Sequence, residues 1–279
     1  MFKRALNHRM FALPYLVWMA IFIVVPLVLV LYYAFTKQVD GNIVFTAENF
    51  AKATDPLYMG VLLRSVVLAF ITTAICLVIG YPVAYILSRS GRRSRFLILL
   101  FVLPMWMNFL LRTYAWMSLL DNQGLINSVL QFLGLGNATL MYTEGAVVLG
   151  MVYNFFPFMV LPLYSVLVKI PRSVNEAAED LGANAFHVFR KVTLPLSVPG
   201  IITGITMVFM PAVTTFAISR LLGGSQYMLF GDLIENQFLF AQDWGFGSAL
   251  SIFMMVLILI SMAVLSRYDK GEKGGNMLW

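Results

Sequence analysis

Val61 to Leu87 reads VLLRSVVLAFITTAICLVIGYPVAYIL, an apolar run interrupted by a single charge, Arg64. A bilayer core about 30 Å thick is crossed by about 20 apolar residues in helical form, so this run is long enough to span. It lacks the period-2 alternation of a barrel strand and therefore reads as a helix. Working outward, the stretches 11–35, 96–120, 145–168, 200–222 and 246–266 qualify in the same way. The expected fold is an all-α integral membrane protein, a six-transmembrane-helix bundle forming one domain over 1–279. Composition agrees: of 279 residues 60% are hydrophobic and 11% charged, where a soluble domain carries roughly 25% charged residues. Such a chain has too little polar surface to face water, so lipid must solvate most of it.

Charge placement sets the expected orientation. With the N-terminus inside, the inner segments hold Lys3, Arg4 and Arg9; Arg89, Arg92, Arg93 and Arg95; Lys169, Arg172, Arg190 and Lys191; and Arg267, Lys270 and Lys273. Of the 19 basic residues, only Lys37, Lys52, Arg64, Arg112 and Arg220 remain outside or at outer helix ends. Acids concentrate outside, among them Asp40, Glu48, Asp55, Asp121, Glu144, Asp232, Glu235 and Asp243. The positive-inside rule then places both termini in the cytoplasm. The net charge of +6 reports topology and not nucleic acid, because no basic patch is interleaved with aromatics. The first run is longer than the roughly 7–15-residue core of a signal peptide and is read as an uncleaved helix. Cys76 is the single cysteine, so no disulfide joins two positions of the chain.

The inner segment 169–199 is too polar to cross the bilayer and too patterned for a plain loop. Pro171 precedes Ser173-Val174-Asn175-Glu176, a capping-box sequence in which Ser173 and Glu176 satisfy each other's amides. A helix from there aligns Val174, Ala177, Ala178 and Leu181 in one stripe. Gly182 permits a left-handed turn, and Asn184 to Lys191 forms a second short segment that Leu194-Pro195 ends. Two readings fit this helix–turn–helix: a patch that docks a partner, or a helix lying on the membrane surface.

The pattern Glu176-Ala177-Ala178, Gly182, then Val192-Thr193-Leu194-Pro195 resembles the cytoplasmic loop of type I ABC importer permeases, with Val192 where the family has Ile. The resemblance implies the type I permease fold in a bacterial cytoplasmic (inner) membrane. It makes 169–199 a coupling loop that fits a separate ATPase, with Glu176, Ala177, Ala178, Gly182, Phe186, Leu194 and Pro195 as coupling residues. Five shorter pieces are similar to the first permease subunit of spermidine/putrescine importers. They are Asp55-Pro56-Leu57-Tyr58, Gly80-Tyr81-Pro82, Pro104-Met105-Trp106 with Arg112-Thr113-Tyr114, the run Pro157 to Tyr164, and Asp243-Trp244-Gly245-Phe246-Gly247. The implied partners are a second permease in a heterodimer, two ATPase subunits carrying ATP and Mg, and an extracytoplasmic polyamine-binding protein. No cofactor is expected on this chain itself.

A polyamine path calls for carboxylates or aromatic faces. The expected spans hold no buried acid, so this chain is expected to contribute aromatic and amide walls and its partner the charge. The candidates are Trp106, Asn108, Tyr114, Tyr153, Asn154, Phe156, Phe209 and Phe216. Arg112 would repel a polycation, so it is read as structural or as the partner of an acid on another subunit; if it lined a cavity, an anionic solute would gain weight. Arg64 and Arg220 read as interface residues. His8 and His187 lack metal-ligand spacing with Cys76 or a carboxylate, and no Gly-rich phosphate loop ending in Gly-Lys-Ser/Thr is present. An ion-coupled secondary transporter is the alternative class, although it usually needs ionisable groups near the midplane.

Overall fold

The computed structural model describes residues 13–39 and 42–268. Lys3, Arg4, His8, Arg9, Asp40, Lys270 and Lys273 lie outside the described residues. Among the described residues five helices are long and apolar enough to cross a bilayer, or six if one sharply bent pair counts as a single span. The crossing helices are α1 (Leu13–Ala34), α3 (Pro56–Arg89), α7 (Glu144–Leu167), α9 (Ala185–Thr214) and α11 (Trp244–Tyr268). Between them lie α2 (Glu48–Ala53), α4 (Ser94–Val102), α5 (Phe109–Leu120), α6 (Leu125–Phe132), α8 (Arg172–Asp180) and α10 (Phe230–Leu239). A hairpin of β1 (Thr36–Val39) and β2 (Asn42–Phe45) follows α1, pairing Val39 with Asn42. The Asp40-Gly41 between them is a dipeptide that two-residue hairpin loops favour.

Two stretches expected to be single spans are interrupted. The 96–120 stretch is bent by 90° between Trp106 and Phe109. Met107 and Asn108 are extended there, and Asn108 Oδ1 accepts from Leu110 N at 2.8 Å, capping a fresh helix. The 200–222 stretch is helical only to Thr214; Thr215 is extended, and a separate π turn, Ser219–Gly223, follows. Its helix begins much earlier than expected, at Ala185.

Proline explains how α1 and α9 remain continuous. In α1 a π turn, Ala20–Val24, ends just before Pro26; in α9 a π turn, Phe189–Thr193, ends just before Pro195. Proline has no N–H and its ring crowds the preceding turn. The wider i→i+5 turn makes room without breaking the helix.

The chain forms two compact units. One comprises the described residues up to Met59 together with Leu233–Leu257. In it Asn49 is buried and its Nδ2 donates to Ala34 O (3.1 Å) and Thr36 O (3.3 Å), tying α2 to the end of α1. The Asp243–Gly247 motif closes on the same place. Asp243 Oδ1 accepts from Phe246 N at 3.0 Å, and Phe246 is fully buried beneath Lys52, whose Nζ sits 4.0 Å from the ring centroid. A Cβ on Gly245 would lie 2.8 Å from Asn49 Nδ2, so only glycine lets these segments approach.

The other unit is Gly60–Asp232 with the described residues from Ile258 on. Its core is α3, α7 and α9 around Cys76, Tyr81, Met159, Leu163 and Val208. Small residues on α9 let the helices close: a Cβ on Gly204 would sit 2.7 Å from Met159 Sδ, and one on Gly200 3.1 Å from Pro162 O. With no hydrophobic drive between helices in lipid, such close van der Waals packing is what holds them.

Candidate functional sites: a helix-turn knob and a basic cavity

The first site is built on α8, the turn after it and the start of α9. The extended residue ahead of α8 is Pro171, not Ser173, and the helix already includes Arg172. Val174 N bonds to Pro171 O at 3.2 Å. The expected Ser173–Glu176 capping box is therefore absent: Ser173 lies inside the first turn and not at the N-cap position that the box requires. At the other end Gly182 has φ +84°. Gly182 N bonds to Glu179 O (2.8 Å) and Ala183 N to Ala178 O (3.1 Å), a Schellman closure that needs the left-handed residue. Asn184 then caps α9, its Oδ1 accepting from His187 N at 2.9 Å.

Leu194-Pro195 does not end the second segment, as the sequence suggested. The π turn carries the helix through, with Leu194 N reaching Phe189 O, and the knob and the span behind it are one helix. The apolar stripe points away from the rest of the described chain, as both readings of it require. Asn175 is the buried residue of α8, whereas Val174, Ala177 and Glu176 are exposed and Ala178 is half-buried. Leu181 is 90% exposed and Phe186 64%. A short helix that turned this stripe inward would have hidden it; here the stripe is left free.

A packing arrangement with no local sequence signal anchors the knob. Phe189 stacks edge-on against Tyr81 (centroids 5.6 Å apart) and Tyr85 (6.2 Å) of α3. Tyr81 Oη lies 2.8 Å from Ser197 Oγ. Phe189 and Leu194 pack on the α3–α7–α9 core, whereas Pro195 is exposed. The knob is thus an outward apolar face on a rigid aromatic foot. The foot escaped sequence reading because its partners lie more than a hundred residues apart.

The second site is a cavity of 390 Å³ between α3, α4, α5 and α7. Its wall includes Tyr153, Phe156, Trp116 and Arg112, with Leu100, Phe101 and Val152 among the apolar members. Trp116 and Tyr153 meet edge to face at 5.4 Å. Arg112 is only 9% exposed, and its Nε has no hydrogen-bond partner. The remaining path candidates do not line this cavity. Trp106 (75% exposed), Tyr114 and Phe216 face outward, Phe209 is half-buried, Asn108 caps α5, and Asn154 is buried with Nδ2 donating to Gly150 O at 2.9 Å.

Arg64 and Arg220 find partners within the chain. Arg64 Nε is 3.0 Å from Glu144 Oε1, and Arg220 Nε is 3.9 Å from Asp232 Oδ1. Asp232 is a buried acid that sequence reading placed in an outer segment; its Oδ2 accepts from Ser219 Oγ and from Leu229 N at 3.1 Å. Among the described residues no three His, Cys, Asp or Glu side chains are grouped to hold a metal.

Residues 76–273 match the family model described as "Binding-protein-dependent transport system inner membrane component". Over 259 residues the chain is 40% identical to the spermidine/putrescine transport system permease protein PotB of Haemophilus influenzae, covering 91% of each chain. It is 38% identical to the protein of that name from Escherichia coli K12, covering 91% of this chain and 94% of that one. Its fold is similar to a chain in the crystal structure of a bacterial ABC transporter involved in importing the acidic polysaccharide alginate. There the TM-score is 0.82, with 16% identity and 98% of each chain covered.

Proposed function

The chain belongs to the family of binding-protein-dependent transport system inner membrane components, and from that premise we propose that it is the permease subunit of an ATP-driven importer carrying spermidine and putrescine. Identity of 38–40% across 91% of the chain to permeases named for those polyamines is the observation that carries the substrate. The outward apolar face of the knob supports the energy coupling: Val174, Ala177, Leu181 and Phe186 are left exposed by the described residues.

In this reading the protein is a multi-pass subunit of the inner membrane with both termini in the cytoplasm. It pairs with a second permease, two ATPase subunits and an extracytoplasmic polyamine-binding protein. ATP and Mg act on the ATPases, and this chain supplies no catalytic group. Glu176, Ala177, Ala178, Gly182, Phe186, Leu194 and Pro195 form or brace the knob seated in the ATPase. Movement of that seat passes through Phe189 to Tyr81 and Tyr85, and through the unbroken helix into the membrane. Trp106, Asn108, Tyr114 and Phe216, which the isolated chain exposes, would wall the path beside the second permease. Aromatic faces there attract each ammonium by about 0.5–2 kcal/mol.

One observation favours an anionic solute instead: Arg112 lines the cavity, and a guanidinium repels a polycation. Uptake by the reconstituted complex separates the two. Labelled spermidine is expected to accumulate with ATP and the binding protein, and Trp106→Ala with Tyr114→Ala is expected to reduce that uptake several-fold. Uptake of an anionic solute with no response to spermidine would refute the polyamine reading.

A further inference from the structure

We infer that Arg112 is the receptor for an acidic side chain of the second permease, which enters the cavity beside Trp116 and Tyr153. This rests on the reading of the chain as one half of a permease pair.

Arg112 is buried to nine-tenths, its Nε is without a hydrogen-bond partner, and no carboxylate of the described chain lies within ion-pairing distance. Three basic side chains that are far more exposed are nonetheless answered: Arg64 by Glu144, Lys37 by Glu48, Lys52 by Asp243. A guanidinium cannot be neutralised by losing its proton, so a buried one must meet an anion or water. The wall around it is largely apolar, with Leu100, Phe101 and Phe156 leaving few groups that could hold water in place.

Three anions could answer it, and the position of Arg112 discriminates among them. A transported polycation is excluded by sign. A lipid phosphate is disfavoured by depth. The chain leaves the membrane edge marked by the basic 89–95 segment and runs Phe96–Trp106, about 16 Å at 1.5 Å per residue. It then turns by 90°, and Arg112 follows one turn later, at N4 from the Asn108 cap. With the second arm of the bend running along the bilayer plane, this puts Arg112 about 16 Å into a core about 30 Å thick, deeper than the outer helix end to which the apolar run alone assigned it. A carboxylate carried on a neighbouring helix can reach that depth. It has to come from a neighbour, since the crossing helices of this chain offer no acid between Arg64 and Thr214 other than Glu144, which pairs with Arg64.

Planar guanidinium and carboxylate pair through two parallel bonds, which fixes orientation as well as contact. The inserted acid would therefore set the register of the two permeases.

The test uses the whole complex captured through a tag on an ATPase subunit. Arg112→Glu is expected to reduce recovery of the second permease about tenfold or more, and replacing one Asp or Glu in a span of that permease by Arg is expected to restore it. Arg112→Leu is expected to weaken the pair while leaving the isolated chain in detergent at least as heat-stable as before, because it removes an unanswered charge. The inference is overturned if no charge reversal in the second permease restores assembly, or if Arg112→Leu leaves recovery unchanged. It is equally overturned if mass spectrometry of the intact complex shows that Arg112→Leu loses a bound anionic lipid while the permease pair persists. Should the unaltered chain capture no second permease at all, the permease-pair reading itself falls, which is a different result.

Discussion

Gly182 offers a clean perturbation, because nothing lies within 4 Å of where its Cβ would be. Substituting Ala there creates no clash, so any effect comes from the backbone alone. At φ +84° an L-residue with a Cβ is disfavoured by roughly 1–2 kcal/mol. At 1.4 kcal/mol per tenfold change, that lowers the equilibrium for the closed turn by about 5–30-fold. Asn, which tolerates the left-handed region, should lose less; Val, branched at Cβ, should lose more. The bonds at risk are those from Gly182 N to Glu179 O and Ala183 N to Ala178 O, which hold α8 at its angle to α9. Binding of the ATPase to permease in nanodiscs is expected to weaken in the order Gly, Asn, Ala, Val. Spermidine-stimulated ATP hydrolysis should fall in parallel. Melting of the membrane core should move little, since the α3–α7–α9 cluster is untouched. Equal affinity for Gly, Ala and Val would refute the reasoning. So would a loss of melting temperature that matches the loss of binding, since the turn would then matter for folding and not for docking.

Two further outcomes are expected. Tyr81→Phe and Ser197→Ala, alone and together, should give a coupling of about 1 kcal/mol for the 2.8 Å bond between α3 and α9; a double mutant equal to the sum of the singles would show that the bond contributes nothing. Gly204→Ala should lower the melting temperature in detergent by an amount equivalent to about 1–3 kcal/mol of overpacking, as its Cβ meets Met159 Sδ at 2.7 Å. Unchanged melting would mean that Met159 swings aside freely.

Where apolar runs determine the answer, sequence suffices. The stretch 61–87 could only be a buried or lipid-facing helix, and it lies within Pro56–Arg89. Gly182 was legible because a left-handed stop has few chemical solutions. Elsewhere two local signals competed. Ser173 and Glu176 have capping-box spacing, but Pro171 holds the extended backbone that starts the helix. Pro195 looked like a terminator because a fixed turn would clash with its ring; a widened turn avoids that clash at no cost visible in composition. The 90° bend at Met107–Asn108 had its signals, Pro104 and the capping Asn108, but the surrounding apolarity masked them. The hairpin after α1 has its signal in the Asp-Gly dipeptide at 40–41 and not in any apolar run. The foot made by Tyr81, Tyr85 and Phe189 depends on distant packing, which no local window contains. Of the path candidates, only Tyr153 and Phe156 share the cavity, because aromatic residues mark oily surfaces of every kind and not one wall in particular.

The unbroken course of α9 has a mechanical consequence. Thirty residues in one helix make a rod of about 45 Å, with Phe186 near one tip and Thr214 at the other. If the knob couples to an ATPase as proposed, a rod that long would act as a lever, with the glycine turn as its pivot and the ring stack on Phe189 as the bearing it rocks against. Under the proposed coupling, displacement applied at the short arm would travel along this shaft, and the widened turn, Phe189–Thr193, is where it would bend before it tilts.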